Sequence, residues 1–171
     1  GAKKAVDRGV ADRFRDFRIV DIFARSFSFP KNADSNDDFT PLMVTDIVQK
    51  LVDAGANSVM LVLDAYPILS DDDSWTNRTP PRGADVLAYQ DHLRATLKSL
   101  HTAKLLWRTR FELFNEPNAP DFFEAKWYSK FTSAVDLAME VLTNNVPGVD
   151  QGFAVPKDRI KCCAFTSDFM R

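Results

Sequence analysis

The sequence predicts an α/β fold with parallel strands, on three observations. Amphipathic segments of helical period alternate with short apolar runs; one of those runs, Val59 to Leu63, is too apolar to have a solvated face; and no glycine-rich phosphate loop links any run to the helix after it. Strict alternation of helix and strand calls for parallel pairing through crossovers, and a strand apolar on both faces is covered on both. Without a phosphate-binding turn the nucleotide-binding open sheet is disfavoured, which raises (β/α) units of barrel type as the expected architecture. A closed eight-unit barrel takes about 250 residues. The 171 residues here hold four expected strands, so the expected fold is a partial TIM-type barrel, one domain over residues 1–171.

The first helix is expected in "AVDRGVADRFRDF" and the first strand in "DFRIVDIFARSFSF", near residues 17–24. In "TDIVQKLVDAG" the apolar residues Val44, Ile47, Val48, Leu51 and Val52 fall at i, i+3, i+4, i+7 and i+8, and Gly55 stands where a helix stops. The apolar run of residues 59–64 is the second strand. A second unit follows: Val86, Leu93, Leu97 and Leu100 share a helical stripe behind an expected cap at Asp85, and "FELF" supplies a strand over 110–115. The third helix carries Tyr128, Phe131, Val135, Ala138 and Leu142 on one stripe, and "RIKCCAF" is the strand over 160–165. Two long polar loops, "PKNADSNDDFTP" and "SDDDSWTNRTPPRGAD", follow expected strand C-termini, the side on which barrel enzymes build their sites.

Composition excludes several functions. The formal net charge of -2 and the lack of a basic stripe argue against a nucleic-acid partner, which needs clustered Lys and Arg. No run reaches the roughly 20 apolar residues of a membrane span. No cofactor is expected. The acidic triplet Asp71 to Asp73 lacks a glycine-turned ligand loop and reads as a solvated run, so no metal site is expected either. Cys162 and Cys163 are adjacent, a poor geometry for a mutual disulfide, and read as two buried thiols. The sequon Asn77-Arg78-Thr79 leans weakly toward secretion. His92 is expected at the surface of its helix, and His101 near a helix end, where it complements the dipole.

The segment with chemical content is "FELFNEPNAPDFF", residues 111–123. Alternation along it sets Glu112, Phe114 and Glu116 on one face and Phe111, Leu113 and Asn115 on the other, with Pro117 ending the strand. A carboxylate directly after a buried strand is either solvated or kept for chemistry, because an ionised Glu is seldom buried unpaired. As a bare tripeptide, Asn-Glu-Pro is only a turn former.

With its flanks, the stretch "FELFNEPN" resembles the large glycoside hydrolase superfamily of (β/α)8 barrels that carry Asn-Glu-Pro at the end of strand four. It looks most like the branch of β-xylosidases and α-L-iduronidases, helped by "FRIVDIF", "VMLVLDAYP" and a Trp-bearing polar loop. The resemblance implies that Glu116 is the general acid/base, that Asn115 hydrogen-bonds the sugar 2-hydroxyl, and that Arg18 supports the catalytic carboxylates. Trp75 is a candidate for stacking on a sugar ring. The implied nucleophile is a Glu on strand seven, whereas this sequence reaches strand five at "IKCCAFTSDFMR". Glu112 cannot replace it: four residues along a strand is roughly 13 Å, against about 5–5.5 Å for a retaining pair. The expected partners are therefore a carbohydrate and, over the open sheet edge, the remaining barrel half as a second chain or another copy. The alternative function is a non-catalytic carbohydrate-binding or protein-interaction module derived from such a barrel.

Overall fold

The computed structural model describes residues 16–19, 40–63, 84–113 and 128–161. In chain order these form β1 (Asp16–Ile19), α1 (Pro41–Asp53), β2 (Ser58–Val62), α2 (Ala84–Thr102), a 3-10 turn at Leu106–Arg108, β3 (Thr109–Glu112), α3 (Tyr128–Leu142), a second 3-10 turn at Lys157–Arg159 and β4 (Ile160–Lys161). The four strands make one sheet in the order β1-β2-β3-β4, and every neighbouring pair is parallel. This is the predicted α/β arrangement. Spatial order follows chain order, so the described strands contain no reversal of the kind that marks a doubly wound sheet.

Local signals explain where the elements lie. Thr40 caps α1 by accepting the Met43 N–H at 3.2 Å, and Pro41 fills the first helical position, where an absent N–H costs nothing. The same capping device closes all three described helices. Gly55, Lys104 and Asn144 adopt φ of 99°, 60° and 56° just past the three ends. Their N–H groups bond back to Val52, His101 and Val141, and the next residues, Ala56, Leu105 and Asn145, bond to Leu51, Leu100 and Glu140. Each pair of bonds is a Schellman motif that satisfies carbonyls the helix leaves open and turns the chain toward the next strand. Leu105 and Ala56, both buried, then pack as the chain leaves α2 and α1.

The helices lie against one another in sequence order, α1 on α2 and α2 on α3. Their inward stripes are Val44, Val48 and Leu51, then Tyr89, Leu93, Leu97 and Leu100, then Ala138, Val141 and Leu142. They join one core with Val59, Leu61 and Leu63 of the β2 segment, Phe111 and Leu113 of the β3 segment, and the half-buried Ile160. Register explains this set: Leu61 pairs with Phe111, and Phe111 with Ile160, so one row of side chains crosses three strands toward the helices. Burying a Leu or Phe fully contributes about 1.5–3 kcal/mol, which makes this layer the main source of stability among the described residues. Polar ties cross the helix layer as well, Thr45 to Ser99 at 2.7 Å and Gln90 to Glu140 at 2.8 Å.

Three expectations change. Asp85, expected as a cap, is the second residue of α2, because the helix starts at Ala84. Asp16 and Phe17, shared by the expected first helix and first strand, belong to β1, because they pair with Ser58 and Val59. His92 is half-buried rather than at the surface, beside the buried Leu93. The remainder of the expected first helix and residues 30–39 and 70–83 of the two polar loops lie outside the described residues, as do Cys162 and Cys163.

Candidate functional site

The site expected from the sequence follows the C-terminal end of β3, so the described part of β3 and its neighbour β2 are the elements nearest to it in sequence and pairing. Alternate residues of β2 and β3 line the sheet face turned away from the helices: Met60 and Val62, then Arg110 and Glu112. Val62 is fully buried, and Glu112 is only 4% exposed. The second face is therefore covered at its C-terminal end and open at Arg110, which is exposed. Two backbone bonds continue the ladder past the strand ends, Leu63 N–H to the Glu112 carbonyl at 2.7 Å and Leu113 N–H to the Lys161 carbonyl at 3.1 Å. These bonds hold three strands parallel up to Leu63, Leu113 and Lys161.

Four residues carry the sequence-based site. Glu116, Asn115 and Trp75 lie outside the described residues; Glu116 is four positions beyond the end of β3 at Glu112. Arg18 lies in β1, in register with Met60, which is in turn in register with Arg110. That row is one pleat repeat below the row of Val62, Glu112 and Lys161. At ~3.3 Å per residue and ~4.8 Å per strand, the Cα atoms of Arg18 and Glu112 are roughly 12 Å apart. Arg18, the penultimate residue of β1, is thus one pleat repeat deeper in the sheet than Glu112.

Glu112 is the carboxylate that sequence reasoning set aside. Its burial on the face away from the helices was signalled by strand alternation, since Phe111 and Leu113 face the core. The histidines sit in the helix layer. Burial pushes the His92 imidazole down to about 4, so it is neutral near pH 7 and poorly placed to give up a proton there. His101 stacks on Phe153 with ring centroids 4.4 Å apart and planes at 10°. Among the described residues no group of three or more His, Cys, Asp or Glu could hold a metal, and no helix is long and apolar enough to cross a membrane.

No protein-family model, curated protein or solved structure matches the chain.

Proposed function

We propose that this chain is a glycoside hydrolase unit of (β/α)-barrel type, acting by a retaining two-carboxylate mechanism with Glu116 as general acid/base. The observation that carries the reading is the third parallel strand. It buries Glu112 on the face away from the helices and runs directly into Leu113-Phe114-Asn115-Glu116-Pro117. A sheet wound in chain order with helices packed as successive neighbours supports the barrel type, and in such barrels the chemistry collects at strand C-termini.

In this mechanism the protonated Glu116 donates to the glycosidic oxygen as the C–O bond breaks, while a second carboxylate attacks the anomeric carbon. Glu116, now ionised, then takes a proton from the water that releases the sugar. A nearby anion raises the pKa of the acid toward the protonated form it needs. That second carboxylate is supplied by a strand beyond Arg171 or by another chain. Asn115 holds the sugar 2-hydroxyl, Arg18 supports the carboxylate charge and Trp75 offers a ring for stacking.

The test compares the 171 residues alone with the chain extended through three further strands, on aryl β-xylosides and α-L-iduronides. The extended protein is expected to turn over with retention at the anomeric centre, and the 171 residues alone to be inactive. Glu116→Gln should lower kcat by about 10²-fold or more on a poor leaving group and by much less on dinitrophenyl glycosides, which need no acid. Equal activity of Glu116→Gln and the parent on poor leaving groups would sink the assignment.

A further inference from the structure

The N-terminal end of the sheet, opposite the end assigned to catalysis, carries a surface that composition alone conceals. Each of the two 3-10 turns directly precedes one of two paired strands, Leu106–Arg108 before β3 and Lys157–Arg159 before β4. Pairing of β3 with β4 sets the turns side by side, and their side chains meet: the Arg159 guanidinium lies over the Trp107 ring, 5.4 Å from its centroid, and donates through Nη1 to the Trp107 carbonyl. Trp107 is 62% exposed. The same two turns and the start of β3 also carry Arg108, Arg110 and Lys157, all exposed, with Arg108 Nη1 donating to the Asn57 carbonyl at 3.3 Å. Arg110 and Arg159 each stand one residue before the paired Phe111 and Ile160, so both cations lie at the same end of the β3–β4 pair. The ion pairs among the described residues, Lys50 with Asp46 and Arg94 with Asp91, lie on the helices, and the acid within the cluster itself is the exposed Asp158.

We infer that this end of the sheet is a docking surface for an acidic segment of a protein partner, anchored on the Trp107–Arg159 pair. Three features favour that partner. Stacking over the indole and the bond to the Trp107 carbonyl fix the guanidinium in place, so its remaining donors are organised in advance for a bidentate carboxylate. Exposed Trp beside Arg is the composition of a protein-binding hot spot, with Lys left to the rim. Arg108, Arg110, Lys157 and Arg159 concentrate positive charge at this end of the sheet, which favours an anionic segment, and Arg159 covers one face of the Trp107 indole. The cluster joins residues 52 positions apart in sequence, which is why no basic stripe is visible along the chain.

The experiment titrates the 171-residue protein into a fluorescein-labelled octapeptide of six Glu and two Leu, read by anisotropy. Comparison ligands are an oligogalacturonate of equal charge and a duplex DNA at the same ionic strength. The peptide is expected to bind more tightly than either. Arg159→Lys keeps the charge but loses the planar fork, and it should weaken peptide binding about tenfold; Trp107→Ala should do the same. Lys98→Gln on α2 should leave binding unchanged, and thermal midpoints of all variants measured in parallel report folding. Arg108→Gln, at an exposed position, should weaken binding several-fold even if Arg159→Lys proves poorly folded. Equal or tighter binding of oligogalacturonate or DNA would overturn the choice of partner, and parent-like binding by folded Arg159→Lys and Trp107→Ala proteins would overturn the anchor. None of these outcomes touches Glu116, so this surface and the hydrolase reading fail separately.

Discussion

The side-chain amide of Gln90 donates to the Glu140 carboxylate at 2.8 Å, tying α2 to α3 inside the helix layer. Gln90 is 3% exposed, so the bond is made largely out of water and to a charged acceptor, where a hydrogen bond contributes about 1.5–3 kcal/mol. Gln90→Ala is expected to cost about 2 kcal/mol in urea unfolding. A double-mutant cycle with Glu140→Gln should return a coupling of about 1 kcal/mol, and independence of the two substitutions would show that the bond contributes nothing.

The core makes a contrast within one helix layer. Leu97 is fully buried, whereas Leu42 is 75% exposed at the start of α1. Leu97→Ala should destabilise by about 2–5 kcal/mol through lost burial and the cavity left behind. Leu42→Ala should fall within about 0.5 kcal/mol of the parent. Similar losses from both would mean that α1 and α2 do not cover the sheet as described.

His92 predicts a pH dependence with a definite sign. Its folded-state pKa is lowered by burial from 6.5 to about 4, so between those values the unfolded chain binds the extra proton. Stability therefore falls as pH drops from about 6.5 toward 4 and is flat with respect to this group above that window. The shift corresponds to at most roughly 3 kcal/mol, and partial exposure of the ring reduces it. Unfolding measured at pH 7 and pH 4.5 should show the loss, and His92→Gln should shrink it.

The helix ends offer a paired test of backbone conformation. Lys104 occupies the left-handed region with φ of 60°, at a cost of about 1–2 kcal/mol for an L-residue, partly offset in Gly by its looser unfolded state. Lys104→Gly is expected to stabilise by up to about 1 kcal/mol. At Asn144, φ is 56° and the side chain also donates to Asp150 at 2.9 Å and accepts from the Gln151 N–H at 3.0 Å. Asn144→Ala should therefore cost more than Asn144→Gly, since Ala loses the bonds and keeps the strain. The Asp150 carboxyl, held below its ordinary value first by Asn144 and then by the Gly152 N–H, should move back up in either variant, which a carboxyl-detected titration reads directly.

Periodicity in the sequence made the helices and strand sites legible, because burial on one face imposes spacing that no single substitution hides. Leu93, Leu97 and Leu100 were expected on one stripe and are buried together. Boundaries were less legible: Thr40 and Pro41 carry a strong helix start, yet they read as the end of a polar loop until the Met43 N–H is seen on the Thr40 hydroxyl. The site was legible as a motif, "FELFNEPN"; Glu116, Asn115 and Trp75 lie outside the described residues, and Arg18 is placed by its register with Met60.

By itself the sequence determined the alternation of helix and strand, the parallel class of the sheet and the presence of an Asn-Glu-Pro segment after its third strand, all properties of neighbours along the chain. Tertiary structure decided which rows of residues meet across strands. Register set Phe111 between Leu61 and Ile160 and buried Glu112 on the opposite face. It also brought Trp107 under Arg159, 52 residues away. Register and packing are contacts between distant segments, chosen by the fit of whole faces, and local composition carries no record of them.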